Sequence, residues 1–106
     1  EGLGDHVGLC HDIGHTVQAH LDPVAEGRVA LESGRLFSLH LHDVDAQLRD
    51  HYIPGEACLD FEPYLAGLAG HTFTGLRTLE IAPGRGDTTE RLRLAAGVRD
   101  RWAALP

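Results

Sequence analysis

One plan occurs three times in this chain, and it narrows the possible folds more than any other feature. A short apolar run leads into a polar loop, and the loop leads into a helical segment. The runs are "HVGLCHD" (6–12), "GRLFSLHLHD" (34–43) and "GLRTLEIAPG" (75–84), and the helical segments are "DPVAEGRVALESG" (22–34), "LDFEPYLAGLAG" (59–70) and "DTTERLRLAAGVRDRWAAL" (87–105). Strands alternating with helices at this spacing predict a parallel α/β sheet built from right-handed βαβ units. The strands are expected over about 6–12, 36–42 and 76–82, and the helices over about 23–33, 60–69 and 88–104. Residues 1–106 then form a single unit, as 106 residues allow.

The helix ends carry their own signals. Asp22 before Pro23 reads as N-cap then first helical residue, with Gly34 as the stop. Asp60 reads as the N-cap of the second helix, which presents Phe61, Leu65 and Leu68 on one face and stops at Gly70. Asp87 with Glu90 resembles a capping box. In the last helix Leu94, Val98, Trp102 and Leu105 form an apolar stripe, which makes Trp102 a core residue rather than a ligand platform.

Side chains alternate faces along a strand, so each run can be split in two. Val7 and Leu9 oppose Gly8, Cys10 and Asp12. Phe37, Leu39 and Leu41 oppose Ser38, His40 and His42. Leu79 and Ile81 oppose Thr78, Glu80 and Ala82. One face is large and apolar and should meet the helices; the small or polar face should look into a barrel interior. Asp12, His40 and Glu80 lie late on that inner face, at the strand ends that form active sites in parallel α/β barrels. Two carboxylates and an imidazole converging there suit a divalent metal: Mn²⁺, Mg²⁺, Co²⁺ or Zn²⁺.

"GLCHDIGH", "HLHD", "HYIPGEACLDF" and "LEI", in that order, resemble the C-terminal part of the xylose isomerase-like barrels over about residues 6–82. That superfamily includes sugar isomerases and epimerases, hydroxypyruvate isomerases, inosose dehydratases and the endonuclease IV group. The resemblance implies the last three βα units of a TIM (β/α)₈ barrel. It makes Asp12, His40 and Glu80 the metal ligands, and gives Glu80 a second, catalytic role moving a proton through an enediolate. His15 and His51, both expected on loops after strands, match substrate-binding positions for a sugar or sugar phosphate. His42 and Asp43 are expected to support the ligands from behind. Ala57 stands where the family has glycine in the loop that closes over the site. The endonuclease IV-like alternative, a zinc phosphodiesterase, expects aspartate where this chain has Arg49. A third reading is a non-catalytic metal-binding fragment.

A complete barrel needs roughly 250 residues, so five strands and a fourth metal ligand, a glutamate, are missing from the resemblance. Glu1 and Asp5 are in the wrong place to replace it. The chain has no Met and opens on "EGLGDH", which reads as the end of a helix and a loop. A fragment is therefore expected, with exposed sheet edges that favour a homo-oligomer or docking to an N-terminal barrel half. The net charge of −7 disfavours nucleic acid. No run is long enough to span a membrane, and Cys10 and Cys58 read as free thiols of a cytoplasmic protein. Of the eight histidines, His11 is expected on the helix side as a partly buried neutral ring, and His6, His20 and His71 in solvent. Gly84-Arg85-Gly86 reads as the loop before the last helix, with Arg85 available to steer an anionic substrate.

Overall fold

The computed structural model describes residues 4–71, 73–84 and 86–103. Three parallel strands, β1 (Leu9–Asp12), β2 (Leu36–Leu41) and β3 (Leu76–Leu79), form one sheet in the order β1-β2-β3. Between them run α1 (Ile13–Gln18), α2 (Pro23–Glu32) and α3 (Glu62–Ala69), and α4 (Thr88–Ala103) follows β3. This is the expected parallel α/β alternation, with shorter strands: residues 6–8 precede β1, and Glu80–Ala82 follow β3. The ladder still extends past β3, because the Glu80 N–H donates to the Leu41 carbonyl at 3.2 Å.

α1 is the element missed in the sequence. Six residues are too few to show a helical period, but Asp12 caps the helix by accepting the His15 N–H at 2.9 Å. His15 therefore sits on a helix, not on a loop. α2 starts as its signals say, with the Asp22 carboxylate accepting the Val24 and Ala25 N–H groups. It ends at Gly34, whose φ of 68° suits glycine. Asp60 accepts the Glu62 N–H at 3.1 Å, but the N-cap position itself belongs to Phe61. Asp87 accepts the Glu90 N–H at 2.9 Å, which is the first half of a capping box.

The core lies against the helix face of β2. Leu39 and Leu41 are buried there with Ile13, Ile53, Phe61, Tyr64, Leu68, Val98 and Trp102. Trp102 is a core residue as expected, its ring 5.5 Å from that of Phe61. The α4 stripe is rotated from the expected one: Leu94 is exposed, and Ala95 takes its place facing the core. Leu105 and Arg85 lie outside the described residues. Phe37 and Leu9 are also largely exposed. They sit near the N-terminal ends of their strands, whereas the buried core gathers at the C-terminal half of β2.

His11 faces the helix layer, as its position in β1 predicts, and is buried. Its Nδ1 shares a 2.9 Å hydrogen bond with the Tyr64 hydroxyl, and its Nε2 lies 3.2 Å from Thr16 Oγ1. Burial holds this ring below the usual histidine range, despite the nearby charges of Asp12 and Glu26. His6, His20 and His71 are exposed, and both cysteines are free and exposed. No described helix is long and apolar enough to cross a membrane.

Candidate metal centre

Sheet register creates the site. Asp12 pairs with His40 across β1 and β2, and His40 pairs with Thr78 across β2 and β3. Glu80, two residues on from Thr78, shares its face. Ligand atoms of Asp12, His40 and Glu80 all lie within 4.8 Å of one another. His40 Nδ1 is 3.6 Å from Asp12 Oδ2 and 3.3 Å from Glu80 Oε2. Two bonds of about 2.1 Å at octahedral or tetrahedral angles put donor atoms about 3.0–3.4 Å apart, so this spacing needs little adjustment to hold an ion. Glu80 Oε2 is buried and accepts no hydrogen bond among the described residues, its neighbours being the ring nitrogens of His40 at 3.3 Å and His51 at 3.7 Å. A buried carboxylate oxygen without a partner is costly unless a cation meets it. The donor set and the orphaned oxygen both fit a divalent ion.

Asp12 is the most heavily held of the three. Oδ1 accepts from the His15 N–H and faces His42 Nε2, each at 2.9 Å. Oδ2 faces His15 Nδ1 at 2.9 Å. Burial opposes the charge, but the hydrogen bonds from His42 and the His15 amide, with the charges of both rings, lower its pKa to about 2. Asp12 is therefore a carboxylate at any ordinary pH.

His42 is buried and supports Asp12 from behind. Its Nδ1 accepts the His51 N–H at 3.0 Å, so Nε2 carries the proton facing Asp12. Burial works against a charged ring here; the Asp12 hydrogen bond and the charges of Asp12, Asp50 and Glu80 outweigh it and raise its pKa. The ring fits because residue 14 is glycine: a Cβ on Gly14 would overlap the His42 imidazole. His15, His42 and His51 offer nitrogens within 4.8 Å of one another. With both of its nitrogens engaged, however, His42 has no lone pair left for an ion.

Asp43 does not touch Asp12, His40 or Glu80 through any hydrogen bond or ion pair among the described residues. Fully buried, it organises the loop after β2 instead. Oδ1 accepts from the Val44 and Leu59 N–H groups, and Oδ2 from those of Gly55 and Ala57, at 2.8–3.0 Å. Its backbone also pairs with Tyr52. Ala57 is accommodated, since its φ is not among the positive values that would call for glycine.

That loop carries His51 back to the site. Its Nδ1 lies 2.8 Å from Asp50 Oδ1, and its Nε2 points to Glu80 Oε2 at 3.7 Å. His15 Nε2 lies 3.5 Å from Asp50 Oδ2. Both histidines therefore border the cluster of Asp12, His40 and Glu80. Asp50, which joins them, was not singled out in the sequence, and its only signal there is its place beside His51. Arg49 is turned to Asp45, with Nε 2.7 Å from Oδ2.

The comparison with known families decides the broader assignment. The model of the family described as "Xylose isomerase-like TIM barrel" matches residues 1–99. This chain belongs to that family. A search of curated proteins finds no match. Membership accounts for the parallel alternation of strands and helices. The described residues hold three of the eight strands of such a barrel.

Proposed function

We propose that the chain carries one side of a divalent-metal-dependent isomerase or epimerase site for a sugar or sugar phosphate. The observation that supports this best is the buried Oε2 of Glu80, which accepts no hydrogen bond among the described residues, beside His40 and Asp12. Asp12, His40 and Glu80 would hold Mn²⁺, Mg²⁺, Co²⁺ or Zn²⁺, which when bound polarises a substrate carbonyl or hydroxyl. Glu80 is the proton-transfer residue. Its side chain is 41% exposed, so part of the carboxylate stays open to the carbon beside the carbonyl. His15 and His51 contact substrate hydroxyls at the rim.

No fourth protein ligand joins the three among the described residues. The same reading therefore has the chain alone bind metal weakly and turn over slowly. β1 and β3 each keep one unpaired edge among the described residues, which further strands would cover, from a second copy or from an N-terminal barrel half. It also places the protein in the cytoplasm, with its two cysteines as thiols.

Titration with each of the four metals, on the wild type, His40→Ala and Glu80→Gln, tests the site. One ion per chain, lost in both variants, supports it. Three zinc ions with phosphodiesterase activity would favour the endonuclease-like alternative, and no binding would sink both. Light scattering with a coupled isomerase assay tests the rest: a monomer with turnover of about 1–10³ s⁻¹ would refute the incomplete site.

A further inference from the structure

We propose that Asp50 is the positioning residue of this site, holding His15 and His51 as a fixed pair across from Asp12 and Glu80. What the two rings would face rests on the reading above; that Asp50 sets their orientation does not.

Six side chains form a closed ring in which carboxylate and imidazole alternate. Asp12 meets His15 at 2.9 Å, and His15 meets Asp50 at 3.5 Å. Asp50 meets His51 at 2.8 Å, and His51 faces Glu80 at 3.7 Å. Glu80 meets His40 at 3.3 Å, and His40 returns to Asp12 at 3.6 Å. Asp12, His40 and Glu80 converge on one point; Asp50 stands apart from them, on the far side of the two histidines. Among the described residues it is the one carboxylate that touches both flanking rings without belonging to the metal cluster.

Asp50 is itself held. Gln18 Nε2, at the end of α1, donates to Asp50 Oδ2 at 2.9 Å and to the Leu48 carbonyl at 2.8 Å. The helix that carries His15 thus grips the loop that carries His51, and Asp50 lies at the junction. Burial opposes the charge on Asp50, but hydrogen bonding and charge from His51, with the Gln18 amide, hold its pKa below the usual carboxylate value. It therefore offers only acceptor oxygens.

The consequence for His51 is specific. A carboxylate accepts, so the His51 nitrogen 2.8 Å away, Nδ1, is the donor, and in the neutral ring the lone pair is then on Nε2. That lone pair faces Glu80 across 3.7 Å, too far for a hydrogen bond and open to a ligand hydroxyl donating to it. His42, stacked on His51 at 4.5 Å and 11°, holds the opposite tautomer. His51 also has φ of 60°, a strained conformation for a residue with a Cβ. Its N–H is bound by His42 and its carbonyl by the Ala82 N–H. The backbone is pinned from two strand ends, and Asp50 fixes the remaining freedom, that of the ring.

The test compares Asp50→Ala and Asp50→Asn in the full chain by imidazole ¹⁵N NMR, with Mn²⁺ alone as the binding probe and Glu80→Gln as reference. In the wild type His51 is expected as the Nδ1–H form and His42 as the Nε2–H form. D50A should release His51 to a tautomer mixture while His42 keeps its form, with Mn²⁺ affinity within about twofold. E80Q should weaken Mn²⁺ by about tenfold or more, as loss of a ligand or of its direct support does. D50N keeps an oxygen that accepts from Nδ1 and should restore the His51 pattern. It also serves if D50A does not fold. Unchanged His51 signals in D50A, loss of the Nδ1–H form in D50N, or Mn²⁺ loss in D50A equal to that of E80Q would each overturn the proposal. If E80Q leaves Mn²⁺ binding unchanged, the metal reading fails, while the tautomer result still decides the role of Asp50.

Discussion

Replacing Asp43 by Asn should nearly unfold this protein, although the change removes no bulk. The carboxylate is fully buried and each oxygen accepts two backbone N–H groups. Asn keeps one accepting oxygen. Whichever way it turns, its NH₂ faces two amide donors, either Val44 and Leu59 or Gly55 and Ala57. Two hydrogen bonds to a charged acceptor are lost, at about 1.5–3 kcal/mol each, so the cost is about 3–6 kcal/mol. At roughly 0.05–0.15 kcal/mol per residue, the whole chain of 106 residues has a stability of the same order. Urea unfolding followed by far-ultraviolet circular dichroism and by the fluorescence of buried Trp102 measures the change, with coincident transitions confirming two-state behaviour. Asp100→Asn, on the exposed face of α4, is the control and should leave the midpoint where it is. A loss below about 1 kcal/mol in D43N would refute the reasoning, because it would mean that the loop amides rehydrate without cost.

Asp12 should make stability depend on acid pH. Its pKa is lowered from 3.8 to about 2 on folding, so its contribution is full above the unfolded value and is lost as pH falls through the folded one. The difference in stability between wild type and Asp12→Asn should shrink by about 2 kcal/mol over that window; a constant difference in urea melts would contradict this. Gly14→Ala should destabilise the fold, although Gly to Ala within a helix ordinarily gains about 1 kcal/mol, because the new Cβ overlaps the His42 ring. A thermal midpoint raised by G14A would show that His42 can move aside. Leu48 has φ of 61°, so Leu48→Gly should raise stability by about 1 kcal/mol, read as a higher urea midpoint; a lower midpoint would mean that the Leu48 side chain, not backbone strain, matters there.

Much of this protein follows from its sequence, because the rules involved act over a few residues. Period-two alternation separates Leu39 and Leu41 from His40, and places Asp12, His40 and Glu80 on one face before any partner is known. The Asp22-Pro23 start and the Gly34 stop of α2 are equally local. Where an outcome depended on distant partners, only the tertiary structure decided it. The six-residue α1 carries too few positions to show a period. Leu94 is exposed while Ala95, Val98 and Trp102 of α4 face the core, a rotation that the spacing of its own leucines did not give. Asp43 read as a neighbour of the site, yet the donors it satisfies arrive from a loop up to 16 residues onward. Asp50 meets Gln18 from 32 residues away, and His51, the next residue, holds a positive φ of 60° that no propensity favours. Buried polar groups take their roles from whichever unsatisfied donors the folded chain brings to them, and that is settled only when the distant segments are in place.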